Sequence, residues 1–159
     1  MITLIAGKFN DHKTTHLIDL YLKDHQGDGF VQTKMMAENK IYGYNAMNLK
    51  SSEKKMIMIH RDFYSDDFPV TEKIGPYLLH PSVKAWVEKG ILQMIHDEVS
   101  PIYLDEIGVL ELNGFGYDGI LRKMVESRLD LVLAVREDLV EQVVTKYGLK
   151  DVKIIKSSR

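Results

Sequence analysis

Residues 7–14 place a glycine, a lysine and a threonine at the spacing of a phosphate-binding loop, G-x-x-x-x-G-K-[ST]. Gly7 stands at the first position of this pattern, and Lys13 and Thr14 stand at its last two. In such a loop, backbone N–H groups surround a phosphate at a helix N-terminus, while the lysine neutralises the β- and γ-phosphates and the hydroxyl holds Mg²⁺. The spacing therefore predicts a nucleoside triphosphate as ligand and Mg²⁺ as cofactor.

Three residues inside the loop alter its phosphate cradle. His12 occupies the position where the pattern has glycine, and a residue with a side chain adopts a left-handed backbone there at a cost of about 1 kcal/mol or more. Asn10 is easier to accommodate because asparagine visits this conformation, whereas Asp11 brings a negative charge into an anion site. A protonated His12 imidazole that offsets this charge is one hypothesis. All three are predicted nucleotide-binding residues, and His12 keeps its backbone N–H.

A second stretch, "IYLDEIG" at residues 102–108, is typical of a buried strand that ends in two acids. Asp105 is expected to hold Mg²⁺, directly or through water, and Glu106 to orient and deprotonate an attacking water. In a parallel sheet this strand and the strand at residues 2–6 can be neighbours, which would bring Thr14 and Asp105 together. The two stretches are predicted to form one site; the alternative is two ordinary buried strands followed by polar turns.

Arg136 follows the apolar run "LDLVLAV" at residues 129–135, so it would emerge at the same edge of the sheet. There it could stabilise charge on a transferred phosphoryl group, which makes Lys13, Glu106 and Arg136 the catalytic candidates. An exposed arginine at a strand end is more often a surface or capping residue, and this alternative stays open.

Short apolar runs alternate with amphipathic segments, which indicates strands alternating with helices. Strands are expected at residues 2–6, 29–36, 40–49, 54–62, 101–108, 129–136 and 151–156, and helices at residues 13–24, from residue 81, at 117–128 and at 137–148. The second and third strands form a predicted hairpin with Asn39 at its turn. Residues 63–82 hold three of the four prolines and are expected to be a long irregular loop over a site. The alternation implies a mainly parallel sheet with ligands at the carboxyl ends of its strands.

The overall composition narrows the classes of protein and partner. With 159 residues, 45% of them apolar, the chain can bury one sizeable core, so a single domain over residues 1–159 is expected. The formal net charge of -2 argues against general binding to nucleic acid or anionic membranes. No apolar run reaches the roughly 20 residues that span a bilayer, and the lack of cysteine excludes disulfides and thiolate metal sites. We expect a cytoplasmic protein whose partners are small molecules or other proteins.

These stretches together resemble the small P-loop nucleoside triphosphatases of the cancer-related nucleoside triphosphatase type. The resemblance covers most of the chain and includes "GKFNDHKTT", "GFVQTK", "KIYGYNAMNL", "KIGPYLL" and, most specifically, "LDEIGVLEL". It implies an α/β, three-layer RecA-like P-loop NTPase fold, with a mainly parallel sheet and an added antiparallel hairpin. It also implies slow, Mg²⁺-dependent hydrolysis of nucleoside triphosphates with little base preference.

The resemblance also implies roles for individual residues. The residues that would hold phosphate and metal are Gly7, Lys13, Thr14 and Thr15. Asp105 would belong to the Mg²⁺ shell and Glu106 would hold the water, as the acids of a Walker B stretch. Asn10 and His12 replace two glycines of the family, so the first motif is a degenerate Walker A loop.

Three functions follow as hypotheses. The first is Mg²⁺-dependent hydrolysis of a nucleoside triphosphate, with water as acceptor and Glu106 as base. The second is a non-catalytic P-loop module that acts through a protein partner, with weak or no nucleotide binding, as Asn10, Asp11 and His12 suggest. The third is a small kinase that transfers phosphate to a metabolite or nucleotide; the sequence shows no arginine-rich lid, which counts against it.

Overall fold

The computed structural model describes residues 1–8, 12–63 and 72–157. The strands of this part of the chain are β1 (Ile2–Gly7), β2 (Asp28–Ala37), β3 (Lys40–Asn48), β4 (Lys54–His60), β5 (Glu72–Ile74), β6 (Tyr77–Leu79), β7 (Ile102–Ile107), β8 (Leu131–Arg136) and β9 (Val152–Lys156). Its helices are α1 (Lys13–Asp24), α2 (Pro81–His96), α3 (Val109–Leu112), α4 (Asp118–Glu126) and α5 (Val140–Tyr147). Short 3₁₀ turns cover Arg61–Phe63 and Glu137–Leu139.

All of these strands belong to one sheet, in the order β5-β6-β4-β3-β2-β7-β8-β1-β9. Strands β2, β7, β8, β1 and β9 pair in parallel. Strands β3, β4, β6 and β5 continue the sheet beyond β2 in antiparallel pairing. The expected α/β sheet with an antiparallel addition is confirmed, and the addition extends past the predicted hairpin to three further strands.

The central strands supply two apolar cores, one on each face of the sheet, because successive side chains point to opposite faces. On β1, Leu4 packs into the core that includes residues of α2, α4 and α5, and its neighbour Ile5 packs into the core that includes α1. On β8, Leu133 packs into the first of these cores and its neighbour Val132 packs into the second. Since helices cover both faces, these strands are apolar at almost every position, which accounts for the continuous apolar runs in the sequence.

The structure confirms the predicted order of strands and helices, including the turn at Asn39, where φ is 63°. The prediction of a wholly irregular segment at residues 63–82 is wrong, because residues 72–79 hold the β5–β6 hairpin, which pairs with β4. Each of these strands has three residues, too few for a periodic pattern, and their position depends on pairing with β4. The predicted site-covering loop falls largely on residues 64–71, which lie outside the described residues.

The segment that follows β7 is held in place by Glu111. This residue is 4% exposed, and its carboxylate accepts hydrogen bonds from the backbone N–H groups of Gly108 and Tyr117, each at 2.8 Å. Its backbone carbonyl accepts from the Tyr147 hydroxyl at 3.1 Å and from the Lys146 ammonium at 2.6 Å. Glu111 therefore ties the carboxyl end of β7 to the start of α4 and the end of α5.

Gly116→Ala is expected to lower the free energy of unfolding by roughly 3 kcal/mol, measured by urea denaturation. Gly116 has a φ of 58°, and a Cβ atom there would lie 2.1 Å from Oε2 of Glu111. That oxygen accepts the Tyr117 N–H, so it moves aside only by losing this hydrogen bond. The alanine therefore adds backbone strain and displaces the buried carboxylate.

Gly114→Ala is the matched control for this prediction. Gly114 also has a positive φ, 85°, but a Cβ atom there would meet nothing within 4 Å. Backbone strain alone should then cost about 1 kcal/mol. Equal losses in the two variants would show that the Glu111 carboxylate moves freely and does not fix the segment after β7.

Candidate functional site

The loop between β1 and α1 carries the start of α1 to the carboxyl ends of the parallel strands. Helix α1 begins at Lys13, with His12 as its N-cap residue. His12 has φ 59° and ψ 32°, the left-handed conformation that glycine adopts without strain. Its backbone carbonyl accepts the N–H of His16 at 2.9 Å. A histidine thus takes the conformation expected of a glycine, while Asn10 and Asp11 lie outside the described residues.

The first three side chains of α1 have different surroundings. Lys13 folds back, and its Nζ donates to the backbone carbonyl of Lys8 at 2.8 Å. The Thr14 hydroxyl donates to Oδ2 of Asp105 at 2.5 Å. Thr15 is exposed, and with Lys13 and Thr14 it lines a cavity of about 290 Å³. The start of α1 therefore borders a concave space in which a phosphate can be bound.

Strands β1 and β7 are not neighbours, contrary to the sequence-based expectation, because β8 lies between them. Thr14 nevertheless reaches Asp105. Helix α1 leaves the end of β1, crosses β8 and packs against β7 and β2, so its first turn spans the intervening strand. The two motifs are in contact as predicted, but helix α1 produces the contact, and the strands β1 and β7 are not neighbours.

Asp105 is the buried acid of the site and is 1% exposed. Besides the Thr14 hydroxyl, its carboxylate accepts the backbone N–H of Gln32 at 3.2 Å and that of Glu106 at 3.0 Å. Burial raises the pKa of Asp105 above its usual value, and these donors and the charge of Lys13 oppose the rise. The carboxylate is therefore costly to bury and is held by donors from three separate elements.

A β-bulge at the end of β7 determines the position of Glu106. Asp105 and Glu106 together lie opposite Ala134 of β8, where regular pairing would place one residue. Glu106 has a φ of 63°, an uncommon conformation for a glutamate. Strained backbone of this kind is often found at functional sites, where the surrounding structure holds it in place. The bulge leaves Asp105 buried and exposes the Glu106 side chain to the cavity.

The Glu106 carboxyl lies at the boundary of two cavities, one of about 290 Å³ and one of about 520 Å³. Its side chain still contacts solvent, but the surrounding protein removes enough hydration to raise its pKa to about 7, and the neighbouring charge of Asp105 contributes to the rise. The charge of Lys13 acts in the opposite direction. A carboxylate with this pKa accepts a proton efficiently near neutral pH.

Arg136 ends β8 and lies opposite Gly7, the last residue of β1. Its Nε donates to Asp138 at 2.5 Å, and both side chains are exposed. Arg136 also lines the cavity of about 520 Å³, together with Lys13 and Glu106. Arg136 therefore lies at the predicted edge of the sheet. There it forms an ion pair with Asp138, two residues further along the chain.

The oxygen atoms of Thr14 and Asp105 match the ligand preference of Mg²⁺. This ion takes hard oxygen ligands, and in nucleotide sites one or two protein groups share it with phosphate oxygens and water. A hydroxyl and a carboxylate oxygen 2.5 Å apart supply such a pair. Within residues 1–8, 12–63 and 72–157, no cluster of three or more histidine or acidic side chains could hold a metal by itself. The donor set fits a cation shared with a bound nucleotide.

Sequence reasoning missed the contributions of β2 and β3 to the site. The backbone N–H of Gln32 binds Asp105, and Tyr44 lines the smaller cavity. Burial raises the pKa of the Tyr44 phenol, and the neighbouring Tyr77 adds to the rise. No motif marks these residues; the only available signal was the hairpin pattern, because β2 pairs with β3 on one side and β7 on the other.

A helix that begins with Lys-Thr after the first strand meets an Asp-Glu pair at the end of β7, with one strand between them. This arrangement at the carboxyl edge of a parallel sheet defines the P-loop nucleoside triphosphatase class. A sequence model described as NTPase matches residues 4–159. The chain belongs to this NTPase family, and a nucleotide-binding, NTPase-type function follows from that membership.

Two solved structures share the fold along nearly the whole chain. The crystal structure of THEP1 from the hyperthermophile Aquifex aeolicus aligns with a TM-score of 0.69, covering 99% of this chain and 90% of that one at 16% identity. The solution structure of a human cancer-related nucleoside triphosphatase aligns with a TM-score of 0.62, covering 98% and 87% at 16% identity. No curated protein matches the sequence significantly. Among the helices of the described residues, none has the length and apolar character needed to cross a bilayer.

His12→Gly is expected to raise the free energy of unfolding by up to about 1 kcal/mol, since relief of left-handed strain exceeds the entropic cost of glycine. His25→Gly is the matched control, because His25 ends the same helix with a φ of 52° and lies at the other end from the loop. Urea denaturation should give similar gains for both variants. A loss of stability in His12→Gly alone would show that the imidazole makes contacts that outweigh the strain.

Proposed function

We propose that this chain hydrolyses nucleoside triphosphates to the diphosphate and inorganic phosphate in a Mg²⁺-dependent reaction. The proposal rests on the 2.5 Å contact between the Thr14 hydroxyl and the Asp105 carboxylate, directly beside Glu106. In P-loop NTPases a loop hydroxyl and an acid at a strand end hold the cation that bridges the phosphates. Family membership and the human nucleoside triphosphatase among the structural neighbours support the same reaction.

The start of α1 is the proposed phosphate site. The unpaired N–H groups and positive dipole of a helix N-terminus attract anions, and Lys13 adds a full positive charge beside them. On nucleotide binding, Lys13 exchanges its hydrogen bond to the Lys8 carbonyl for oxygens of the β- and γ-phosphates. The other proposed nucleotide-binding residues are Gly7, Asn10, Asp11, His12, Thr14 and Thr15.

Thr14 and Asp105 are the proposed holders of Mg²⁺, which when bound would neutralise phosphate charge and align the γ-phosphate. Glu106 is the proposed general base. Its carboxylate lies at the boundary of two cavities, and a pKa of about 7 supports transfer of a water proton to it. Arg136 is proposed to leave Asp138 and stabilise negative charge on the transferred phosphoryl group.

Lys13→Ala and Glu106→Gln are each expected to lower the rate of Mg²⁺-dependent phosphate release by about 100-fold or more. The first variant removes the charge that faces the phosphates, and the second keeps the size of the side chain but cannot accept a proton. Phosphate release from ATP, GTP, CTP and UTP measures both effects. Similar losses with all of these substrates would agree with a site that contacts mainly phosphates.

Two variants remove the same groups elsewhere and serve as controls. Lys23→Ala removes a lysine from the last turn of α1, and Glu126→Gln replaces an exposed glutamate at the end of α4. Both should retain the wild-type rate. If the wild-type protein releases phosphate no faster than Glu106→Gln does, hydrolysis by this site is excluded.

A non-catalytic P-loop module that acts through a protein partner is the second candidate, and the conformation of His12 favours it. The Cβ atom and imidazole of His12 require space beside the phosphates that a glycine would leave empty. Lys13 is also engaged by the Lys8 carbonyl. Both features would weaken nucleotide binding. A protein partner and a cytoplasmic location remain predictions from the sequence.

Calorimetric titration with a non-hydrolysable ATP analogue and Mg²⁺ separates the two candidates. For the hydrolase, the wild-type protein should bind and Lys13→Ala should lose at least about tenfold in affinity. For the non-catalytic module, only His12→Gly should bind, while His25→Gly, which relieves similar strain far from the loop, should not. Equal binding by Lys13→Ala and the wild type would place the nucleotide away from α1 and contradict both candidates.

A further inference from the structure

We propose, on the basis of the hydrolase site above, that the larger cavity beside Glu106 binds a phosphoryl acceptor. The acceptor is a small organic anion with an apolar body and a hydroxyl group. The γ-phosphoryl group passes to this hydroxyl in preference to water, and hydrolysis is the reaction of the enzyme without acceptor. The proposal thus specifies the second substrate of the same site.

The cavity has the size of a metabolite site and is built by several parts of the fold. Its volume of about 520 Å³ lies within the roughly 300–1,000 Å³ typical of small-molecule sites, whereas one water needs about 30 Å³. The ends of β7 and β8 contribute Glu106 and Arg136. The β5–β6 hairpin contributes Lys73 and Leu79, and helix α2 contributes Lys84.

The lining combines apolar walls with an excess of positive charge. Its main apolar side chains are Met58, Leu79, Ile107, Val109, Leu110 and Leu139. Among the described residues, its cations are Lys13, Lys73, Lys84 and Arg136, and its acids are Glu106 and Glu111. The Glu111 oxygens already accept backbone N–H groups. This lining favours a ligand with an apolar body and an anionic group.

Glu106 connects the larger cavity to the proposed phosphate site. It lines both this cavity and the smaller one at the start of α1, and so do Lys13 and Gln32. A nucleotide with its phosphates at α1 would therefore lie directly beside the larger cavity, and in this proposal its γ-phosphate faces that cavity. A carboxylate at this boundary can accept the proton of a hydroxyl group that approaches from the acceptor side.

The transfer balances without any further reagent. The acceptor oxygen forms a bond to the γ-phosphorus, while the bond from that phosphorus to the oxygen bridging the β- and γ-phosphates breaks. The nucleoside diphosphate leaves with the electron pair of that bond. The hydroxyl proton passes to the Glu106 carboxylate. The products are one nucleoside diphosphate and one phosphorylated acceptor, with no inorganic phosphate.

The test follows the fate of ATP radiolabelled in its γ-phosphate, in the presence of Mg²⁺ and the full chain. The acceptor probes are ribonucleoside monophosphates, the matching uncharged ribonucleosides and a protein-free metabolite extract. Thin-layer chromatography separates labelled organic phosphate from labelled inorganic phosphate. We expect a labelled ester on a ribose hydroxyl with a monophosphate, or a labelled organic product with the extract, and at least about tenfold less with the uncharged ribonucleosides. A labelled nucleoside diphosphate formed from a monophosphate probe would show that a phosphate, and not a hydroxyl, is the acceptor.

Two variants test whether the acceptor lies in this cavity. Val109→Trp fills it from a side chain that is 51% exposed, which spares the core, and Lys84→Glu reverses a charge on its wall. Each should lower the ratio of labelled organic phosphate to inorganic phosphate by at least about tenfold. Lys89→Glu is the matched control, because Lys89 is exposed on the same helix and outside the cavity lining; it should keep the wild-type ratio.

Three further outcomes would overturn the proposal. Inorganic phosphate as the sole labelled product with every probe would show that water is the acceptor, and the hydrolase would stand. A raised KM for ATP in Val109→Trp, with an unchanged product ratio, would show that the cavity holds the nucleotide. If the wild type consumes no ATP with or without probes, the proposed hydrolase fails and the acceptor site fails with it.

Discussion

The buried carboxylate of Asp105 is the constraint on which the rest of the site depends. Three elements hold it: α1 through the Thr14 hydroxyl, β2 through the N–H of Gln32, and the bulge of β7 through the N–H of Glu106. Removing a carboxylate from water is costly, as the raised pKa of Asp105 reflects. The strand order, the crossing of α1 over β8 and the bulge bring these donors together. A change in any of these three features would therefore alter the hydrogen bonds to Asp105.

Much of this arrangement could be predicted from local patterns. The apolar runs at residues 2–6 and 131–135 predict buried strands, because coverage on both faces leaves few polar positions. Thr14 and Asp105 could be assigned to one edge, since helical crossovers bring the carboxyl ends of parallel strands together. The position of β8 between β1 and β7 could not be predicted. Apolar residues pack equally well against several neighbouring strands, so they do not specify the order of the strands.

The backbone conformations and contacts that orient the side chains of the site could not be predicted from the sequence. The conformation of Glu106 depends on the one extra residue in β7 relative to β8, which is a matter of register between distant strands. Glu111 continues an acidic motif in the sequence, yet it binds the backbone N–H groups of Gly108 and Tyr117. His12 is the opposite case, because the glycine pattern itself predicted the left-handed conformation that the structure shows.

The pairing of β1 has a consequence for synthesis on the ribosome. Its neighbours in the sheet are β8 and β9, and Ile2 pairs with Leu131 and Val152. Strand β1 therefore has no partner in the sheet until residues far along the chain have emerged, whereas β2, β3 and β4 can pair as they appear. Contacts between such distant residues form slowly. During synthesis, the loop between β1 and α1 is therefore fixed in place only after β8 has emerged.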